Sequence, residues 1–137
     1  MSTMAPSSLP ALYAGVGCTA SARSRDVLAL LEAALPATGT LISLASLDRR
    51  CRLPALTETA AMLTVPLLGF SEESLRSFPQ AAPSAAARLS GVPSVAEAAA
   101  LASASARARP GQTAVLWLAK QTGAGCTVAL AVLTDIP

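Results

Sequence analysis

Apolar and polar positions along the chain fall into blocks whose periods change from element to element. Leu12 to Val16 is a short apolar run that stops at Gly15-Val16-Gly17, as a buried strand entering a turn would. Val27, Leu28, Leu31 and Leu35 then recur at helical spacing behind Ser24, a good N-cap residue, and Pro36 and Gly39 close that helix. Leu41 to Leu47 reads as a second strand, ended by Asp48-Arg49-Arg50-Cys51-Arg52. Pro54 suits a first helical position, with Leu56, Ala60 and Leu63 following on one face. Pro66 to Phe70 predicts a third strand, and Ser71-Glu72-Glu73 opens a short helix whose acids suit its N-terminus. From Pro79 to Pro93 the chain turns to Pro, Ala and Ser without an apolar period, predicting a loop or weak helix that is the mobile part of the molecule.

Ser94-Val95-Ala96-Glu97 matches a capping box and starts an alanine-rich helix that ends near Ser105. Thr113 to Ala119 and Cys126 to Leu133 are almost uninterruptedly apolar, which predicts strands covered on both faces. About six residues join them, too few for a parallel crossover, so they form an antiparallel hairpin. The expected fold is a three-layer α/β/α sandwich around a mixed sheet of about five strands. Residues 1–10 are expected to be a disordered tail and residues 11–137 one α/β domain.

Composition narrows the function classes. Of 137 residues 53% are hydrophobic and 13% charged, with mean hydropathy +0.53, which excludes a disordered chain. Much of the apolar content is alanine, and no run approaches the roughly 18 apolar residues of a spanning helix, so no membrane partner is expected. A net charge of +2 and 3% aromatics argue against nucleic acid. Without histidine, no Ser-His-Asp or Cys-His relay and no histidine metal site can form. The three cysteines, Cys18, Cys51 and Cys126, include no C-x-x-C pair, which predicts reduced thiols in a cytoplasmic protein without a disulfide framework or structural metal. Gly17-Cys18 has no basic leader or apolar segment before it, so a lipoprotein signal is rejected.

Gly15-Val16-Gly17-Cys18-Thr19-Ala20 fits the dinucleotide fingerprint G-x-G-x-x-A after a strand. Against it, the helix starts near Ser24, and Asp48 lies well beyond the roughly 20-residue spacing expected of the ribose-binding acid. A tight glycine turn is the simpler reading, with nucleotide binding as an alternative. Cys18 is either a thiolate nucleophile favoured by a helix N-terminus and by Arg23 and Arg25, or a small buried hydrophobe. Asp48 is either a general acid or base, or an ion-pair partner of Arg49, Arg50 or Arg52. Six of the ten cations, Arg23, Arg25, Arg49, Arg50, Arg52 and Lys120, follow the ends of strands, where open α/β sheets bind ligands. With backbone from Gly15, Gly17, Gly123 and Gly125, that rim suits a ligand carrying several carboxylates or phosphates. The same arginines, read alone, are also consistent with solvated loops.

Taken together these segments resemble the CobE/CbiG C-terminal-domain family of cobalamin (vitamin B12) biosynthesis. The resemblance is carried by Ala14 to Cys18, Leu44 to Asp48, Val65-Pro66-Leu67 with Phe70 to Leu75, Gly91 to Leu101, and Lys120 followed by Gly125 to Ala129. It implies an α/β domain that acts on or holds a tetrapyrrole intermediate without a cofactor or metal of its own, possible partners being other enzymes of the route. Two-domain relatives of the anaerobic route open the ring lactone of a cobalt-precorrin and release acetaldehyde; this chain resembles the stand-alone form. The family's lysine, and the acid three residues after it in the loop following the second strand, fall here on Arg50 and Leu53. The charge is kept and the acid lost, which favours anion binding there. The reading is therefore a precorrin or corrinoid binder, its ring over Gly15, Gly17 and Cys18. Arg23, Arg25, Arg50 and Lys120 hold its carboxylates, and Pro79–Pro93 is placed to close over it. The alternative is a precorrin lactone hydrolase using Asp48 or Cys18.

Overall fold

The computed structural model describes residues 10–78 and 94–136. Most of the predicted N-terminal tail and the whole of Pro79–Pro93, with its proposed closure, lie outside the described residues. Five strands form one mixed, open sheet in the order β3-β2-β1-β5-β4, made of β1 (Ala11–Cys18), β2 (Thr40–Leu47), β3 (Leu67–Phe70), β4 (Gln112–Thr122) and β5 (Cys126–Asp135). β1, β2 and β3 are parallel; β5 runs antiparallel to β1 and to β4. β4 therefore points the same way as β1, and its carboxyl end joins the rim formed by the other parallel strands.

Helices cover both faces, as expected for three layers. α1 (Ser24–Ala34) and α2 (Pro54–Leu63) place Val27, Leu31, Leu56 and Ala60 against Ala14, Val16, Leu44, Val128 and Leu130. α3 (Glu72–Arg76) and α4 (Val95–Ser105) cover the other face, where Leu75, Ala98, Ala99 and Ala102 meet Ala45 and Leu47. A bulge between β1 and β2 follows Leu12, and Ile42 and Ser43 both pack toward α4, Ser43 through a buried 2.6 Å hydroxyl pair with Ser103.

Three expectations change on contact with the structure. Ser24 is the first residue of α1 and not its cap, because the Arg23 carbonyl already accepts the amide hydrogens of Asp26 and Val27. The glycine pair is not a turn: β1 continues through Gly15 and Gly17 to Cys18. The reason is α4. A Cβ on Gly15 would run into the carbonyl oxygen of Ala96 and the amide of Ala100, so glycine here lets an alanine helix lie directly on the strand. Nine consecutive residues of α4, Ala96 to Ala104, are buried, as in a helix enclosed on all sides.

The third change concerns β4. It is an edge strand with alternating exposure, Ala114, Leu116 and Leu118 half-buried and Val115 and Trp117 exposed. Of the two hairpin strands, β5 alone is covered on both faces: Val128, Ala129, Leu130 and Ala131 are fully buried. The apolar run at Thr113–Ala119 thus reflects an open face beside α1 and not a second helical cover.

Candidate functional site

At the carboxyl-end rim, order in the sheet departs from β1 in opposite directions: β2 and β3 on one side, β5 and β4 on the other. Such a switch leaves a crevice outside the strand ends. An open hollow of about 520 Å³ lies there, bounded by Gly17, Cys18 and Thr19 of β1 and its loop, Ser94 and Val95 at the start of α4, and, from the hairpin, Lys120, Thr122, Gly123 and Gly125 to Thr127. Of the residues singled out from the sequence, Gly17, Cys18, Lys120, Gly123 and Gly125 meet in it.

Each wall has a local cause. The turn Gly123-Ala124-Gly125 is closed by the Gly123 N–H donating to the Cys126 carbonyl at 2.8 Å. Gly125 takes φ +71°, a left-handed conformation that suits glycine. Its carbonyl accepts the Thr19 N–H at 3.0 Å, which pins the loop after β1 to the hairpin. Ser94 caps α4, its Oγ accepting the Glu97 N–H at 3.4 Å. The amino end of an 11-residue helix therefore opens into the hollow, a position that favours negative charge.

The second half of the expected capping box is not formed. The Glu97 carboxylate, only 4% exposed, accepts the Lys120 N–H at 3.0 Å. That N–H is available because β4 is bulged: Leu118 pairs with Leu130 and Gln121 with Val128, so Ala119 and Lys120 together oppose one residue of β5. Glu97 thereby fixes the backbone from which the Lys120 side chain projects. Sequence reasoning missed this role, because nothing in the chain signals a contact across 23 residues that depends on a bulge.

The remaining candidates stand apart. Gly15 lies beneath α4. Arg23, which caps α1, and Arg25 in its first turn are exposed and outside the lining of the hollow. Arg50 is half-buried in the loop after β2, within electrostatic reach of Cys18. Asp48 is exposed, opens the short 3-10 turn Asp48–Arg50, and sits beside Gly69 and Cys51. The described residues hold two ion pairs, Arg49 and Arg76 each with Glu72, so the pairing expected of Asp48 is absent among them.

Electrostatics bear on the nucleophile. Burial raises the Cys18 thiol above the usual 9.0, and the Arg50 guanidinium offsets this only in part. That direction keeps Cys18 protonated at neutral pH and favours the packing reading of this residue over the thiolate one. Cys51 and Cys126 are raised as well, first by burial and then by the neighbouring charge of Asp48 and Asp26 respectively. No group of three or more metal-ligating side chains is gathered among the described residues.

A second hollow of about 470 Å³ lies at the opposite end, where Pro10, Tyr13, Arg107, Arg109 and Gln112 line it. Arg107 and Arg109 there follow the carboxyl end of α4 and complement its negative pole. Among the described residues that line that hollow, none begins a helix.

Comparisons with known proteins agree with the fold. Residues 12–131 match the family model described as cobalamin synthesis G C-terminus. The solved structure of CobE, a protein from the cobalamin (vitamin B12) biosynthetic pathway, is 34% identical with a TM-score of 0.77, covering 94% of this chain and 96% of that one. The cobalamin biosynthesis protein chiG from Agrobacterium tumefaciens str. C58 is 32% identical with a TM-score of 0.69, covering 90% of this chain and 99% of that one. Among curated protein sequences none matches. With nearly the whole chain matched in sequence and in fold, the protein belongs to the CbiG C-terminal family of cobalamin biosynthesis.

Proposed function

We propose that this cobalamin biosynthesis protein binds a precorrin or related corrinoid intermediate at the carboxyl-end rim. The supporting observation is the convergence of Gly17, Cys18, Gly123, Gly125 and Lys120 with the amino end of α4 in one open hollow. A flat macrocycle fringed by acetate and propionate groups needs a shallow apolar seat and peripheral cations. Val95 and the glycine backbone supply the first; Lys120, and Arg50 beside Cys18, supply the second through charge-assisted contacts. Exposed Arg23 and Arg25 contribute by long-range attraction. The cytoplasm is the compartment this reading assigns, and no helix of the described residues is long and apolar enough to cross a membrane.

Two features favour binding over catalysis. Asp48 is not in the hollow, and the Cys18 thiol is protonated at neutral pH. The glycines of the dinucleotide fingerprint lie within β1, Gly15 covered by α4, so that motif forms no loop for a pyrophosphate.

The test is titration with a corrinoid bearing free peripheral carboxylates and, separately, with its fully esterified form, followed by mass analysis of the recovered ligand. The acid is expected to bind, more weakly as salt rises, and to be recovered unchanged; the ester is expected to bind at least about ten-fold more weakly, one lost charge-assisted contact being enough. Equal binding of acid and ester refutes the cationic rim. A lactone-bearing intermediate recovered with the mass of one added water replaces the binder with a hydrolase.

A further inference from the structure

The three cysteines, scattered through the sequence, do not remain scattered in the fold. Cys18 at the end of β1 and Cys126 at the start of β5 are direct cross-strand partners. The Thr19 N–H donates to the Gly125 carbonyl at 3.0 Å, and that bond flanks the pair without belonging to it. Cys18 and Cys126 therefore occupy a non-hydrogen-bonded position, where opposed Cα atoms approach to about 4.5 Å and both side chains leave the same face. That spacing lies at the short edge of the disulfide range of roughly 4.4–6.8 Å. Both residues line the hollow, Cys18 half-exposed and Cys126 buried beneath it. Cys51 is placed differently: its Sγ lies 3.4 Å from the Leu47 carbonyl and 3.7 Å from that of Leu68, between β2 and β3.

We propose that Cys18 and Cys126 are a redox site, forming a reversible disulfide across the base of the hollow with a low-molecular-weight disulfide such as glutathione disulfide as oxidant. Cys18, the accessible member beside Arg50, loses its proton to solvent and attacks one sulfur of the oxidant. That step forms a mixed disulfide and releases one glutathione thiolate. Cys126, deprotonated in turn, attacks the Cys18 sulfur and releases the second glutathione. Two protein thiols are oxidised and one oxidant disulfide is reduced to two thiols. Because Cys18 opens onto the hollow, the product stays accessible to attacking thiols and is reducible, the property of a switch and not of a staple. Closed, it ties β1 to the hairpin and removes the thiol from the ligand seat.

The reduced, full-length chain is incubated with glutathione disulfide at about pH 8.5, which increases the thiolate fraction over neutral pH, then alkylated and examined by intact mass and peptide mapping. The expected product has lost two hydrogen atoms, links the Cys18 and Cys126 peptides, and reverts with dithiothreitol. It forms in Cys51→Ala and not in Cys18→Ala or Cys126→Ala. A stable glutathione adduct on Cys18, a link involving Cys51, or an unchanged mass overturns the proposal. Mapping the unsubstituted chain decides the pairing even where Cys126→Ala fails to fold, and no outcome depends on corrinoid binding.

Discussion

Lys120 and Arg50 reach the rim by different routes, and each carries a separable expectation. Lys120 projects from a bulge whose backbone is held by buried Glu97, while Arg50 rides on the 3-10 turn after β2. Neither side chain makes an ion pair among the described residues, so Lys120→Ala and Arg50→Ala should change stability by about 0.5 kcal/mol or less. Each should weaken binding of a carboxylate-bearing corrinoid by about 1.5–3 kcal/mol, roughly ten-fold or more, as titration and urea denaturation of the same samples would reveal. Cys18→Ala should leave affinity near that of the unsubstituted protein, since a protonated thiol offers the ligand no charge. Should the cation variants bind normally while Cys18→Ala abolishes conversion of a lactone, the site is catalytic.

Among the elements, β4 and β5 look alike in sequence and differ in burial. Leu130 is fully buried in the core beneath α1, whereas Leu116 of the edge strand is half-exposed. Leu130→Asp places an unpaired charge in the core and should prevent folding. Leu116→Asp should lower the urea midpoint yet leave a cooperative transition and native circular dichroism, because its carboxylate can turn to water. Equal loss of structure in the two variants would mean that β4 is covered in solution. The bulges that interrupt β4 at Trp117 and at Ala119-Lys120 also break the regular row of donors and acceptors along this edge, whose one charged side chain is Lys120, a recognised defence against strand addition. One of them does a second job by freeing the Lys120 N–H for Glu97.

For the whole molecule, the cysteines give a pH dependence with a definite sign. Burial is the first cause of the upward shift at Cys18, Cys51 and Cys126 alike, each from a usual value of 9.0. As pH rises through that value the unfolded chain releases these protons first, so the folded state holds more protons and loses stability. Their contribution is thus full below pH 9.0 and declines above it until the folded thiols ionise. Under reducing conditions the urea midpoint should fall above that pH, and fall less in a variant with all three cysteines changed to alanine; equal slopes would show that other groups carry the decline. The order of elements, the two-sided sheet, the closing hairpin and the family were legible in the chain, because apolar period, proline and cap residues act locally and survive in one dimension. The gathering of Cys18, Lys120, Gly123 and Gly125 at one rim was legible too, because cations and glycines cluster near strand ends. What the chain did not disclose was the use of each residue: Gly15 as a seat for α4, β4 as an edge, Glu97 as the holder of Lys120, and Cys18 opposite Cys126. Those assignments depend on strand order, bulge and register, which bring together residues from 23 to more than a hundred positions apart, and a local pattern holds no record of which distant backbone will lie against it.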